Sequence, residues 1–261
     1  MTIFGGLERW RQTPIPDQAA VRARRTGCRA LPIDTRCAQY GETLVELRDL
    51  GVAGENYYWS ERNPPYWQRI EGSIPDLWLR QSVARKLVAV NAKLEGAGLE
   101  LFVFDAWRPR AVQAYFHDVW MPGQLGRHRP DLAGEALTRE IERYWAAPTR
   151  GETSPAPHAT GGAVDLSIRW IGGDLLWMGS LFDDATAIAH RDHFESRDLA
   201  MCFSDAEARA NRRLLHWAMA EHDLSGHAEE WWHFSWGDQM WAAQKNMAAA
   251  YFGPAEGGSR Q

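Results

Sequence analysis

The stretch Pro157-His158-Ala159-Thr160-Gly161-Gly162-Ala163-Val164-Asp165-Leu166-Ser167-Ile168 constrains this chain more than any other. Its adjacent glycines predict a turn, and the residues after them alternate as a strand does. Val164, Leu166 and Ile168 take one face, Asp165 and Ser167 the other. An aspartate opposite an apolar run faces either solvent or a cleft. Glu230-Trp231-Trp232-His233, much later in the chain, tips the reading toward the cleft. Together the two stretches hold two imidazoles, one metal-binding carboxylate and one spare carboxylate, the inventory of a zinc hydrolase site.

The frame around these residues reads as α+β. Leu79, Val83, Leu87, Val90 and Leu94 repeat on one helical face, which predicts a helix over 76–95. Asp76 is placed to cap it and Gly96 and Gly98 to stop it. Leu99 to Phe104 reads as a core strand, and Asp105-Ala106-Trp107-Arg108-Pro109 follows directly. Pro109 biases Arg108 toward an extended backbone, so Arg108 stands at a strand end. There it either enters a cleft or pairs with Asp105 or another acid. Residues 110–120 read as a helix and 43–50 as a short strand. The aromatic clusters at 56–59 and 64–67 either wall a pocket or pack a long loop.

Residues 121–157 form an excursion over the core, with a helical segment around 138–146. Gly172-Gly173 joins the strand over 163–170 to Leu175-Leu176-Trp177-Met178 as a hairpin, hence an antiparallel sheet. His190 and His193 have metal-like spacing but no carboxylate-bearing strand beside them, and are not counted as ligands. Ser204-Asp205-Ala206-Glu207 matches a capping box opening a helix over 205–222. Residues 230–236 alternate like a strand. A regular strand would put Glu230 and His233 on opposite faces, so a shared site requires a bend before His233. Residues 238–251 read as helical. The expected organisation is an N-terminal irregular lead-in over 1–30, one catalytic domain over 31–252 with a small central antiparallel sheet, packed helices and the zinc site in a cleft at the sheet, and a flexible tail over 253–261.

Composition removes several function classes. The chain has 261 residues and a formal net charge of -5, and its basic residues form no dense block, so no nucleic-acid footprint is expected. No run of apolar residues is long enough to span a membrane. Cys28, Cys37 and Cys202 are odd in number and lack CxxC spacing, which fits neither a disulfide framework nor a cysteine zinc site. Residues 1–12 lack the apolar core of a secretory signal. A reduced, cytoplasmic location is the expectation.

The residues quoted carry a resemblance. His158 and Asp165 with Glu230-Trp231-Trp232-His233 resemble the zinc D-alanyl-D-alanine dipeptidase family, which includes the vancomycin-resistance dipeptidases. Phe104-Asp105-Ala106-Trp107-Arg108-Pro109 is similar to that family's Asp-Gly-Tyr-Arg-Pro segment. The order of motifs agrees from about residue 75 to 240. The resemblance implies one Zn2+ held by His158, Asp165 and His233, with Glu230 as general base and proton shuttle. It implies that Arg108 stabilises the tetrahedral intermediate, and that the substrate is a small dipeptide. The family's serine two residues before the first histidine is Ala156 here, and Ala106 and Trp107 replace Gly and Tyr, which leaves the exact dipeptide open. Asp183 and Asp184 are candidates for the substrate ammonium. Two alternatives stay open: a zinc carboxypeptidase or amidase acting on cell-wall peptides, and a non-catalytic zinc-binding protein of the same fold.

Overall fold

The computed structural model describes residues 4–149, 151–196 and 201–257. In chain order the elements are α1 (Glu8–Gln12), α2 (Ala19–Arg25), β1 (Leu44–Glu46), β2 (Ala53–Gly54), β3 (Trp78–Arg80), α3 (Gln81–Glu95) and β4 (Leu99–Asp105). Next come α4 (Arg110–Tyr115), α5 (Met121–His128), α6 (Gly134–Glu142), β5 (Ala163–Trp170), α7 (Phe203–Ala220), β6 (Ser225–Gly226), β7 (His233–Ser235) and α8 (Gln239–Gln244).

Five strands form the central sheet in the order β2-β4-β5-β7-β6. All its pairings are antiparallel except that of edge strand β2 with β4, which is parallel. The α+β architecture with helices on a small sheet is as expected, with this one parallel pair added. Val83, Leu87, Val90 and Leu94 of α3 are fully buried, as are Leu101, Val103, Val164, Leu166 and Ile168 of β4 and β5. That layer is the core. Asn91 accepts the Leu101 N–H at 2.7 Å, which ties helix to strand inside it. No helix among the described residues is long and apolar enough to cross a membrane.

Several boundaries differ from expectation, each for a physical reason. Residues 78–80 are drawn off the start of the anticipated helix because they pair with β1. Helix α3 therefore begins at Gln81, and Glu42 from another segment serves its first turn by accepting from the Ser82 N–H and hydroxyl. Asp76 is not the cap. The helix over 203–220 starts at Cys202, whose N–H donates to Asp205, so the capping pair lies two residues before the Ser204/Glu207 pair. The return after Gly172-Gly173 makes a single bridge, Arg169 to Leu175, rather than a second strand. The helix expected over 238–251 stops at Gln244, and Asn246 takes a positive φ. The segment before residue 31 is not irregular: α1 and α2 form, and Arg11 pairs with Glu207 of α7 at 2.9 Å. At the other end the Ala255 N–H donates to the Ala159 carbonyl at 2.8 Å. Residues 258–261 of the expected tail lie outside the described residues.

Candidate metal centre and active site

Three adjacent strands carry acidic and imidazole groups to one line across the sheet. Asp105 of β4 lies opposite Asp165 of β5, which lies opposite His233 of β7. In a regular strand Asp105 would share the core face of Val103. The ladder shifts register between Val103 and Asp105, and this bulge turns Asp105 to the face of Asp165. Asp165 is 1 % exposed, so it faces a buried cleft and not bulk solvent.

His158 reaches the same point from the single helical turn Pro157–Thr160 that precedes β5. The turn closes at Gly161, whose φ of 70° suits glycine. A Cβ there would also run into Leu44 of β1, so the pair of glycines serves both a tight turn and a close approach. The Nδ1 of His158 lies 2.7 Å from the Ala106 carbonyl. A carbonyl only accepts, so Nδ1 carries the hydrogen and the Nε2 lone pair is left free.

That Nε2 lies 3.1 Å from His233 Nδ1 and 3.3 Å from an Asp165 oxygen, and His233 Nδ1 lies 3.0 Å from the other. His158, Asp165 and His233 each offer one ligand atom, all within 4.8 Å of one another. Burial lowers the His233 imidazole to about 4, against the pull of Asp165, so it is neutral near pH 7 as a ligand must be. Burial works to raise Asp165, but the charge and hydrogen bond of His158 and the bond from His233 prevail and hold it well below the usual carboxylate range. Two imidazole nitrogens and one carboxylate converging on a point are a donor set for a single zinc ion. The residues present fit the metal.

The required bend before His233 is present. Strand β7 begins only at His233, and Glu230 sits in the turn ahead of it. The Glu230 carboxylate thereby comes within 3.7 Å of His233 Nδ1. It accepts no hydrogen bond from any described residue. Burial, then the charge of Asp165, raises its proton affinity well above the ordinary value for a glutamate.

Arg108 satisfies both sequence alternatives at once. It lines the cavity, and it is 5 % exposed. Its Nε donates to Asp105 at 2.9 Å, one Nη to Gln113 at 2.9 Å, and the other to Asp165 at 3.1 Å and Tyr58 at 3.3 Å. Burial favours discharging it, but Tyr58, Asp105 and Asp165 outweigh burial, so it stays charged. Asp183, with a φ of 61°, is gripped by the hydroxyls of Tyr58 and Tyr66, each at 2.9 Å. Burial and the Asp165 charge push its carboxyl up to about 7. The aromatic clusters at 56–59 and 64–67 thus pack against one another and also position a polar group at the cavity.

The cavity has a volume of about 660 Å³. His158, Asp165, His233, Glu230, Arg108 and Asp183 all line it. Arg22 and Arg25 of α2, Cys28, Arg29, Arg139 and residues 142–147 line it as well. Trp107 is not part of it: its indole N–H donates to the Ala255 carbonyl at 3.0 Å. His190 and His193 are not among the clustered ligands, and His190 meets Arg143 instead.

Sequence reasoning passed over Arg191. This arginine is 2 % exposed and donates to the backbone carbonyls of His227, Glu230 and His233 at 2.8–3.2 Å. It therefore pins the turn that carries Glu230 and His233. A Cβ at Gly226 would fall on its guanidinium, so that glycine makes room for it. No local pattern announces an arginine whose hydrogen-bond partners among the described residues are all main-chain.

Comparison with known proteins now adds a family. Residues 76–251 match a family described as "D-ala-D-ala dipeptidase". A D-alanyl-D-alanine dipeptidase of Synechocystis sp. is 32% identical over 241 residues, covering 83% of this chain and 93% of the relative. The chain belongs to this family. It is a zinc metallopeptidase of the D-Ala-D-Ala dipeptidase kind, and a zinc-dependent D,D-peptidase-like hydrolase. Dipeptidases of the same description from Streptomyces coelicolor and Escherichia coli are 28% and 30% identical over 180 and 138 residues. The first alignment covers 65% of this chain and 81% of the relative, the second 53% and 55%. The solved structure of the vancomycin-resistance D,D-pentapeptidase VanY with Zn(II) covers 92% of this chain and 96% of its own at 13% identity. Its TM-score is 0.36, too distant a likeness to carry argument.

For a dipeptidase-family zinc site of this make-up, metal analysis of the dialysed protein is expected to give one zinc per chain. The His158→Ala variant should fall well below that ratio, because one of three ligand atoms is gone. Full stoichiometry in the variant would overturn the ligand set.

Proposed function

We propose that this enzyme hydrolyses a small free D,D-dipeptide, with D-alanyl-D-alanine the foremost substrate. One observation carries the reading: the cavity that holds the metal triad is also lined by a half-buried carboxylate, Asp183, which suits the ammonium of a short peptide whose amide reaches the zinc position. The activity named for the curated relatives supports it. A bound Zn2+ would supply a Lewis acid and acidify a water there. Glu230, unencumbered by hydrogen bonds, takes the proton of the attacking water and passes it to the leaving amine. Arg108 presents positive charge to the oxygen of the tetrahedral intermediate, while its bonds to Asp105 and Gln113 hold the guanidinium in place. His158 and His233 are oriented by the Ala106 carbonyl and by Asp165. A cytoplasmic location belongs to this proposal, in keeping with three unpaired thiols. Activity confined to an extracytoplasmic fraction of the native host would refute it.

A second reading, a carboxypeptidase acting on longer cell-wall peptides, is favoured by the cavity's size. Its volume lies well inside the range of about 300–1,000 Å³ that accommodates ligands larger than a dipeptide. A panel of free dipeptides of varied chirality, their N-acetylated forms and longer murein peptides separates the two. Acetylation of D-Ala-D-Ala is expected to abolish turnover, because the ammonium that meets Asp183 is lost and bulk is added. Efficient release of D-Ala from acetylated tripeptides, with D-Ala-D-Ala untouched, would overturn the dipeptidase reading.

A further inference from the structure

Among the described residues, six arginines line the cavity: Arg22, Arg25, Arg29, Arg108, Arg139 and Arg143. Five are matched by a carboxylate. Arg22 pairs with Asp192 at 2.7 Å, Arg25 with Glu229 at 3.1 Å, Arg108 with Asp105 at 2.9 Å, Arg139 with Glu135 at 3.5 Å and Arg143 with Glu140 at 3.7 Å. Arg29 alone makes no ion pair with any described residue. Glu142 is the carboxylate whose charge it feels most, but not at pairing distance. Its Nε is sealed from solvent without a hydrogen-bond partner. One Nη donates to the Ser154 carbonyl, four residues before His158, and the other meets no described residue.

A partly buried guanidinium without a counter-charge is costly, and buried charges are as a rule paired. The cost is relieved when an anion occupies the cavity. We propose that Arg29 is the anchor for the C-terminal carboxylate of the peptide substrate, reached from the cavity side by its uncommitted Nη. An N–H of that Nη makes a charge-assisted hydrogen bond to a carboxylate oxygen, stronger than a neutral one. Asp183, also in the lining, then takes the opposite end of the peptide. The cavity reads both termini, one carboxylate for the ammonium and one guanidinium for the carboxylate. Arg29 lies outside residues 76–251, the stretch that matches the family model.

The inference rests on the peptidase reading above, and its test separates the two. Affinities of D-Ala-D-Ala and its C-terminal carboxamide are measured by calorimetry on the zinc-loaded Glu230→Gln protein, which holds peptide without cleaving it. The same pair is then measured with Arg29→Met or Arg29→Lys added. The parent is expected to prefer the carboxylate by on the order of 10- to 100-fold. Arg29→Met should erase that preference by weakening the carboxylate alone, and Arg29→Lys should restore part of it. Equal weakening of both ligands would reduce Arg29 to a support for the Ser154 loop and overturn the proposal, as would an unchanged preference. Absence of a preference in the parent overturns it too. Failure of wild-type enzyme to cleave D-Ala-D-Ala, with the carboxylate preference intact, counts against the substrate reading and leaves Arg29 its role.

Discussion

Glu230→Gln is expected to lower kcat by about 10²- to 10⁴-fold, the range over which positioned acid–base groups act, while zinc content stays at one per chain. The separation of these two outcomes follows from the geometry. Glu230 stands 3.7 Å from His233 and is not among the converging ligand atoms. Its carboxylate accepts no hydrogen bond from a described residue, so the substitution deprives no described donor of its acceptor. The turn that carries it is held from behind by Arg191 through main-chain carbonyls, which the substitution does not touch. What vanishes is the capacity to accept a proton beside the metal. Metal analysis and single-turnover kinetics on the same preparation decide it. A kcat near that of the parent would mean that another group is the base. Loss of zinc would mean that Glu230 is a ligand.

The parts of this site that were legible in the sequence share one property: their signal is local. Strand alternation around Asp165 put the carboxylate opposite the apolar face, and burial of both faces of β5 then sent it into a cleft. The need for a bend between Glu230 and His233 followed from strand parity alone, and the late start of β7 supplies it. Illegible features depend on partners far away in the chain. Glu42 displaced Asp76 as the group serving the first turn of α3, because pairing of β3 with β1 consumed residues 78–80. Part of the cavity lining comes from α2, Cys28 and Arg29, in a stretch whose sequence reads only as an irregular lead-in until Asp192 and Glu229 are brought to its arginines. The bulge that rotates Asp105 toward Asp165 leaves no mark in a sequence whose apolar run simply ends there.

Arg108→Ala is expected to damage stability and turnover together. Asp105 and Asp165 are each 1 % exposed, and both face this guanidinium. Removing one member of a buried pair leaves uncompensated charge and costs about 3–5 kcal/mol. For a domain of this size that corresponds to a fall in Tm of roughly 6–20 °C. Asp165 retains two imidazoles, whereas Asp105 keeps only His158 at 3.2 Å and Asn56 at 3.5 Å. The cost is therefore concentrated on Asp105, and zinc, which binds only the folded form, should recover part of it. Turnover is a separate question because the same guanidinium lines the cavity. Loss of an oxyanion partner lowers kcat by about 10²- to 10³-fold in comparable sites. Scanning calorimetry with and without zinc, and kcat measured below the variant's transition, give the two effects independently. A lowered Tm with kcat intact would leave Arg108 as a structural pair only. An unchanged Tm with kcat lost would show that the buried carboxylates do not need it, and that its charge serves the reaction alone.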